Sequence, residues 1–369
     1  FAKARAYKNM TTVTVIGCGV IGAMLAYELS KDSKETGLKV RVLEANPEPA
    51  MVATGAALGV LMAASSSRAR GHLVKLRLAS LSRYDRLIDE LTAQTNCDIL
   101  YNRKGILNLY RSPDAEPTAR SLIGIRQRQG FAMQWLDRDQ IQERFPQWQT
   151  NGGLLSECDR ALHPIQFVKA LVEAAAQNGV EFCWNTPVHN LEDITSDRIV
   201  ITSGIGTNSL IAPMLKNRDR DLLQPIGGQA LLLQIPNLNL ENVVHIENED
   251  GSDLNIVPLG NDRYWLGATI EFDDRELPRQ ENVSLLLEQA IAWCPTFAQA
   301  EVLETWVGDR PRPDGFQAPI LGFVPDHPHI AIATGHYRNG IMMAPITAKI
   351  TKDLLLTGTS DFPWRSFSL

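Results

Sequence analysis

The chain has 369 residues, 44% of them hydrophobic, and a formal net charge of −6 at pH 7. This length favours two domains or one domain with a large insertion, and the hydrophobic content excludes a disordered chain. The mildly acidic balance, without a long basic run, argues against a nucleic-acid partner.

The first nine residues, FAKARAYKN, precede a candidate start at Met10. They are basic and lack an apolar stretch, so they do not form a secretory signal. We interpret residues 1–9 as a leader remnant, as added residues or as part of an alternative start, and we exclude them from the fold. No apolar run in the sequence approaches the roughly 20 residues that a transmembrane helix needs.

The five cysteines are scattered along the sequence, and none of them forms a CxxC pair. This spacing argues against a disulfide framework and against a zinc site. It predicts a reducing compartment, which is the cytoplasm or the stroma of an organelle.

Residues 12–44, TVTVIGCGVIGAMLAYELSKDSKETGLKVRVLE, predict a strand, a glycine-rich loop, a helix and a second strand. The first strand is an apolar, β-branched run of the kind that parallel sheets bury. The loop carries Gly17, Gly19 and Gly22, and the second strand ends on Glu44, 22 positions after Gly22. Together these features predict a site for an adenine dinucleotide, with an ordinary glycine-rich turn as the alternative.

Each part of this unit has its own physical role. Gly17 permits the tight turn, Gly19 lets the backbone approach a pyrophosphate, and Gly22 lets the helix pack closely on the strand. The helix N-terminus offers free N–H groups to the phosphates. Glu44 would accept hydrogen bonds from a ribose diol and disfavours an added 2′-phosphate, which argues against NADP. FAD and NAD both remain open at this point.

A polar loop after Glu44 leads into TGAALGVL, residues 54–61. Small residues at this density predict backbone that lies against a large flat group, with a tightly packed helix start as the alternative. Residues 72–91 then repeat apolar positions at helical spacing and predict a long amphipathic helix.

The sequence changes in character after residue 96, where a second domain is predicted to begin. Residues 99–101 and 105–110 predict antiparallel strands around a turn at Arg103 and Lys104. Helices near 115–129 and 137–145 follow.

The chain then returns to the first domain. Residues 165–178 predict an amphipathic helix that Gly179 ends. Residues 180–184 and 199–204 predict strands of the first sheet.

The second domain resumes with strands predicted at 229–235, 254–258 and 264–269 and a helix at 283–293, which favour a mostly antiparallel sheet. A strand at 330–333 and a helix at 344–355 close the fold. The predicted fold class is therefore α/β, or α+β overall. A Rossmann-type dinucleotide-binding domain (residues 10–95, 155–225 and 308–369) is interleaved with a smaller, mostly antiparallel substrate-binding domain with helices (residues 96–154 and 226–307).

Four stretches carry a resemblance to one protein family: VIGCGVIGAMLAYEL, TGAALGVL, WVGDRPRPDGFQAPILG and GHYRNGIMMAPIT. The sequence resembles the glycine oxidase and D-amino-acid oxidase family of flavoproteins, nearest its thiamine-pathway glycine oxidase branch. The likeness spans residues 13–356. It implies non-covalently bound FAD, because members of that family hold the isoalloxazine between two domains.

Carried over by position, the resemblance implies cofactor-binding residues along the whole chain. Those near the adenosine and pyrophosphate would be Gly17, Gly19, Val20, Ile21, Gly22, Glu44, Ala45, Val188 and Gly204. Those near the flavin ring would be Thr54, Ala57, Gly59, Val60, Leu61, Gly335, Arg338, Asn339, Gly340, Ile341 and Met342. A helix N-terminus at the last group would stabilise negative charge on the reduced flavin.

The resemblance also implies how a substrate is held. Arg310 would clamp the carboxylate of an α-amino acid with two charge-assisted hydrogen bonds and place its Cα–H over flavin N5. The alternative for Arg310 is a surface or domain-bridging role. Arg338 is expected to gate the site or contact the flavin, with a structural role as the alternative. His336 is expected to be structural, because a neutral amine can lose its α-hydrogen as hydride without a base.

Two departures from the family pattern stand out. Asn255 occupies a position where the family usually has an aromatic residue, often Tyr. Asn255 is therefore a candidate donor to the substrate carboxylate, and Tyr264 or Tyr337 could compensate; glycine itself is in doubt as the substrate. In addition, the segment between Val188 and Ile199 is too short for the family's β-hairpin, which affects packing more than chemistry.

The resemblance implies oxidative deamination of a small amino acid or amine, such as glycine, sarcosine or a small D-amino acid. Hydride would pass from the α-carbon to FAD, the imine would hydrolyse to a keto acid and ammonia, and O₂ would become H₂O₂. The main alternative is a dehydrogenase that passes electrons to a quinone or another carrier. A nicotinamide-dependent enzyme would leave GHYRNGI unexplained, and Arg310 argues against a non-catalytic flavoprotein. A homo-oligomer is compatible with the sequence.

Overall fold

The computed structural model describes residues 11–112, 114–215, 220–248, 252–272 and 278–369. Our interpretation of residues 1–9 lies outside the described residues. Within the described ranges, no helix is both long and apolar enough to cross a membrane.

Nineteen strands lie in the described residues. They are β1 Thr12–Ile16, β2 Lys39–Leu43, β3 Val60–Leu61, β4 Tyr101–Asn102, β5 Ile106–Tyr110, β6 Met133–Asp137, β7 Gly152–Ser156, β8 Arg160–Leu162, β9 Glu181–Cys183, β10 Arg198–Ile201, β11 Leu223–Ile226, β12 Gln229–Gln234, β13 Val243–Glu247, β14 Asp253–Gly260, β15 Arg263–Gly267, β16 Glu301–Val307, β17 Arg310–Pro313, β18 Ile320–Val324 and β19 His327–Thr334.

Nine α-helices connect or flank these strands in the same part of the chain. They are α1 Val20–Ser30, α2 Ser33–Thr36, α3 His72–Gln94, α4 Ala115–Gln127, α5 Arg138–Arg144, α6 Pro164–Gln177, α7 Thr207–Ile211, α8 Gln280–Trp293 and α9 Gly340–Thr357.

A six-stranded sheet has the order β18–β19–β10–β1–β2–β9. Five of its strands run parallel, and only β18 is antiparallel to its neighbour. Helix α1 packs against α6 and α9, and α9 packs against α3, so that the parallel strands are covered by helices. Because parallel strands end at one edge, the loops after β1, β2, β10 and β19 meet there.

An eight-stranded sheet has the order β16–β12–β15–β14–β13–β5–β7–β6. All of its neighbouring strands are antiparallel except β5 and β13, which are parallel. Side chains alternate between its two faces. One face, with Leu254, Ile256 and Leu266, packs into a core with α8. The other face is turned towards the large cavity described below.

The strand–loop–helix–strand unit at residues 12–44 and the amphipathic helix after residue 71 are confirmed, and the mixed α/β class is confirmed with them. The expected hairpin at residues 99–110 is wrong. Strand β4 pairs with β8 in a three-stranded sheet, whereas β5 pairs with β7 and β13. The turn contains Gly105 at φ +88°, and it carries the chain from one sheet to another instead of folding it back.

Strands β7, β13 and β16 of the large sheet were not predicted from the sequence, and the last helix was predicted too short. Helix α9 begins at Gly340, four residues before the predicted start, although Pro345 lies inside it. The Pro345 nitrogen cannot donate to the carbonyl of Ile341 one turn earlier. The buried Tyr84 hydroxyl on α3 donates to that carbonyl instead. A side chain from another helix therefore satisfies the group that the proline leaves open.

Candidate functional site

A cavity of about 1450 Å³ lies between the carboxyl edge of the six-stranded sheet and the inner face of the eight-stranded sheet. Its lining runs from the loop after β1, past Glu44 and the 54–60 segment, to Arg310 and the start of α9. Ligand pockets for drug-sized molecules usually measure about 300–1,000 Å³. The cavity is therefore large enough for a ligand of dinucleotide size.

The glycine-rich loop forms one end of the cavity. Gly17 has a φ of +95°, and a Cβ atom there would lie 2.8 Å from the Cα of Ser203. Gly22 does not line the cavity; a Cβ on it would overlap the Gly17 carbonyl oxygen, so it serves the packing of α1 on β1. Helix α1 begins at Val20 directly after Gly19, and its N-terminus faces the cavity. This is a geometry that binds phosphate groups.

Glu44 is almost fully buried, and its carboxylate organises the loop around it. One oxygen accepts a hydrogen bond of 2.6 Å from the backbone N–H of Cys18, and the other accepts from the backbone and side chain of Asn46. Burial, and then the Glu44 carboxylate, raise the pKa of the Cys18 thiol. The thiol is therefore neutral, and Glu44 carries the negative charge at this end of the cavity.

Most of the other predicted cofactor residues also line the cavity, although they come from distant parts of the chain. They are Val20, Ile21, Ala45, Thr54, Ala57, Gly59, Val60, Val188, Gly204, Gly335, Arg338, Asn339, Gly340, Ile341 and Met342. Leu61 does not line it, because this side chain is fully buried in the core under α3 and α9. Helix α9 begins at the cavity wall with Gly340, as the resemblance implied.

Arg310 is the first residue of β17, and its guanidinium lies over the backbone of Gly228. One terminal N–H donates to the Gly227 carbonyl at 2.9 Å, and a Cβ on Gly228 would overlap the guanidinium. Burial, and then the nearby charge of Arg338, lower the pKa of Arg310. No carboxylate of the described residues forms an ion pair with it. A half-buried cation without an ion-pair partner favours an anionic ligand.

Arg338 differs from Arg310 because it already has an anionic partner. Its guanidinium forms an ion pair with Asp253 at the start of β14. The pair joins the segment before α9 to the eight-stranded sheet across the cavity wall. Arg338 therefore contributes less unpaired positive charge to the cavity than Arg310 does.

Asn255 lies on β14 and lines the cavity. The Nδ1 of His245 on β13 is 3.0 Å from its side-chain oxygen. Tyr264, which we expected to be able to replace the missing phenol, lies on the opposite face of the sheet in the core with α8. That expectation is wrong. Side chains alternate between the two faces along a strand, and Tyr264 is on the face that points away from the cavity. Tyr337 does line the cavity.

His336 is buried, and its Nε2 lies 2.9 Å from the hydroxyl of Thr347 on α9. Burial lowers the pKa of His336 to about 3. The imidazole is therefore neutral at ordinary pH and joins two parts of the C-terminal segment. This fits the structural role expected from the sequence.

A loop at residues 63–70, which forms part of the cavity wall, is held by two buried charges that sequence reasoning missed. The Asp159 carboxylate accepts hydrogen bonds from three successive backbone N–H groups at 63–65 and from the Ser65 hydroxyl. The Arg126 guanidinium donates to the carbonyls of residues 64, 68 and 69. A fixed wall of this kind keeps the cavity open for a rigid ring.

The cavity fits FAD on its own features. The glycine loop leaves room for a pyrophosphate beside the N-terminus of α1, and Glu44 lies where an adenosine ribose would follow. A second helix N-terminus, that of α9, lies far along the same cavity beside the 54–60 segment. Two positive helix ends in one elongated cavity suit a ligand with negative charge at both the phosphates and the ring.

Comparison with known proteins agrees with this geometry. Residues 12–354 match the model of the DAO family, described as FAD-dependent oxidoreductases. The chain is 26% identical to glycine oxidase of Bacillus subtilis over 97% of this chain and 96% of that protein. It is 29% identical to the bifunctional protein ThiO/ThiG of Synechocystis over 95% of this chain and 52% of that protein. The crystal structure of glycine oxidase from Geobacillus kaustophilus superposes with a TM-score of 0.84 at 27% identity, covering 97% of each chain.

Proposed function

We propose that the chain, which belongs to the DAO family of FAD-dependent oxidoreductases, oxidises a small amino acid or amine at the carbon that bears the nitrogen. The observation that carries the proposal is Arg310, a half-buried cation that lines the cavity without a carboxylate ion-pair partner among the described residues. Glycine, sarcosine and small D-amino acids are the candidate substrates. Support comes from the similarity to glycine oxidases over nearly the whole chain.

The guanidinium of Arg310 can bind a substrate carboxylate with two parallel hydrogen bonds. A planar clamp fixes both the position and the orientation of the α-carbon, and orientation supplies much of the rate of such a reaction. The bond to the Gly227 carbonyl occupies one N–H and fixes the direction of the remaining donors. When bound, FAD would supply the acceptor for the substrate hydride, and O₂, reduced to H₂O₂, would be the final acceptor of the two electrons.

His336 is a poor base for a substrate, because burial lowers the pKa of its imidazole to about 3 and its Nε2 lies 2.9 Å from the hydroxyl of Thr347. A substrate amine in its neutral form can release its α-hydrogen as hydride without one. The imine product then hydrolyses in water to a keto acid and ammonia.

Electron transfer to a quinone or another carrier instead of O₂ is the second candidate function. The same Arg310 geometry serves both, because substrate oxidation precedes the choice of acceptor. A reducing compartment fits either version, and the five cysteines, which are all free thiols, support this part of the proposal.

The proposal is tested by removing the clamp. Arg310→Ala should slow anaerobic bleaching of the flavin by an amino acid at least about 100-fold while FAD stays bound, since a charge-assisted clamp is lost. Arg312→Ala is the matched control, because Arg312 lies on the same strand with an exposed side chain. Equal bleaching rates for wild-type protein and Arg310→Ala would refute the clamp.

A further inference from the structure

The sheet face that lines the cavity carries three polar side chains in one line across neighbouring strands. Asn108 on β5 is opposite His245 on β13, and His245 is opposite Asn255 on β14. All three line the cavity. We call Asn108, His245 and Asn255 the polar row.

Hydrogen bonds determine which atoms of the polar row remain available to a ligand. The Asn255 Nδ2 lies 3.4 Å from the Gly267 carbonyl, which places its Oδ1 towards His245. His245 Nδ1 therefore donates to Oδ1, and in this tautomer the lone pair is on Nε2. The Asn108 Nδ2 donates to the Leu154 carbonyl at 3.2 Å, so that its Oδ1 also remains an acceptor.

These two acceptors, His245 Nε2 and Asn108 Oδ1, have no hydrogen-bond partner among the described residues. The two side chains are only 8% and 2% exposed. Both residues line the cavity, so a ligand group that brings N–H donors can bond to these two acceptors.

The neighbouring line across the same strands adds negative charge. Glu247 on β13 is opposite Asp253 on β14, and both line the cavity. Asp253 is neutralised by Arg338, whereas Glu247 has no ion-pair partner in the described part of the chain. Burial, and then Glu247, raise the pKa of Tyr110 to about 12, so this phenol is neutral. The end of the cavity at Glu247 therefore favours a cation.

The polar row lies some distance from Arg310. The Arg310 guanidinium lies over Gly228, and Gly228 is two residues before Ala230 on β12. Ala230 is opposite Gly267 on β15, and Gly267 is opposite Asn255 on β14. At about 4.8 Å per strand, Asn255 is about 10 Å and His245 about 14 Å from the backbone of β12. A substrate as small as glycine, held at Arg310, does not reach His245. A substituent several carbons long does.

We propose that the polar row and Glu247 form a subsite for a positively charged substituent of the substrate, such as the terminal ammonium of lysine or ornithine. The proposal rests on the proposed function and extends its substrate class from small amino acids to amino acids or amines with a second cationic group. The α-carboxylate is held at Arg310, and the distant ammonium donates to His245 Nε2 or Glu247.

The test compares substrates of matched length on the FAD-loaded protein. Lysine, norleucine and glutamate, each as both enantiomers, are mixed anaerobically, and the rate and half-saturation of flavin bleaching are recorded. We expect kcat/KM for the better lysine enantiomer to exceed that for norleucine about tenfold or more, because charged hydrogen bonds replace an alkyl contact. Glutamate should be the poorest. Norleucine equal to or better than lysine would overturn the subsite.

Two variants locate the effect. Glu247→Gln and His245→Leu should each reduce the lysine-to-norleucine ratio at least about threefold, mainly through the half-saturation for lysine. Glu301→Gln is the control, since Glu301 is exposed on the edge strand β16 and does not line the cavity. A ratio unchanged in both variants would refute the subsite.

If glycine, sarcosine, alanine and proline bleach the flavin but lysine has no advantage, only this inference fails. If no amine bleaches the flavin, the proposed function fails as well.

Discussion

The orientation of the Arg310 guanidinium depends on Gly228, which has no side chain. The guanidinium occupies the space where a Cβ atom on Gly228 would be, and the Gly227 carbonyl holds one of its N–H groups. A clamp for a carboxylate needs both position and angle, because two parallel hydrogen bonds form only in one plane. Gly228 thus positions the Arg310 guanidinium, to which we assign the binding of the substrate carboxylate.

Gly228→Ala should therefore displace the Arg310 guanidinium without removing its charge. We expect the half-saturation for an amino-acid substrate to rise about 10- to 100-fold, since a shift of about 1 Å can cost that much. Substrate titrations of flavin bleaching measure this effect. Gly124→Ala, in helix α4 with no atom closer than 3.8 Å to its new Cβ, is the control. An unchanged half-saturation in Gly228→Ala would contradict the positioning role.

His336 makes the stability of the folded protein depend on pH. Burial holds its pKa at about 3 in the folded protein, below the ordinary value of 6.5. Between these values the unfolded chain binds a proton that the folded chain does not, so stability rises with pH in this window. The contribution is fully present above pH 6.5 and is lost as the pH falls towards 3.

Urea unfolding of wild-type protein and His336→Gln at pH 7 and pH 5 tests this linkage. The wild type should lose about 2 kcal/mol more stability than His336→Gln between these two pH values, because each pH unit below 6.5 costs about 1.4 kcal/mol. His329→Gln, at an exposed position outside the cavity, should behave as the wild type does. Parallel losses in wild type and His336→Gln would show that the imidazole is not held neutral.

At the scale of elements, helix α9 depends on α3 for its first turns. Pro345 would be expected to end a helix, yet α9 continues through it to Thr357. The Tyr84 hydroxyl supplies the donor that the Ile341 carbonyl lacks. Because these turns form the cavity wall from Ile341 to Met342, the tyrosine supports the site without contacting a ligand.

A double-mutant cycle tests this contact. Tyr84→Phe should lower the free energy of unfolding by about 1–3 kcal/mol, since it leaves a buried carbonyl without a donor. The same change in a Pro345→Ala background should cost less, because the new backbone N–H reaches that carbonyl. Tyr27→Phe removes a tyrosine hydroxyl that makes no hydrogen bond with another described residue, and it should have a small effect. Equal costs of Tyr84→Phe in both backgrounds would rule out the exchange of donors.

The sequence predicted local elements better than it predicted strand partners. The 12–44 unit was predictable because turn, helix and acid follow each other within one short segment. The hairpin at 99–110 was wrong because strand pairing over long separations leaves no local pattern, and Gly105 fits a change of sheet as well as a turn. The polar row was missed for the same reason, since Asn108, His245 and Asn255 meet only through their register.

The same limit applied to the assignment of single residues. Leu61 was expected to contact the cofactor, yet it fills the core. Gly22 serves the packing of α1, as expected, but it does not line the cavity. Asp159 and Arg126 hold the 63–70 loop but carried no recognisable motif. The structural role of a buried charge can be recognised only once its hydrogen-bond partners are known, and the partners here are backbone groups.

At the scale of the whole molecule, the two large sheets enclose one cavity between them. The six-stranded sheet contributes the loops at its carboxyl edge, and the eight-stranded sheet contributes a polar face. We propose that the division into interleaved FAD-binding and substrate-binding domains follows these two sheets. FAD is the cofactor of the family to which the chain belongs, and we propose that residues of the second sheet determine which substrate reaches it.

The measurement that tests the central claim most directly is anaerobic mixing of the FAD-loaded protein with glycine, sarcosine, D-alanine, D-proline, L-proline and lysine. We predict that at least one of these amines bleaches the flavin absorption and that H₂O₂ appears when air is admitted. Bleaching without H₂O₂ would favour the carrier-dependent version. A flavin that stays oxidised with every amine would contradict the proposed function.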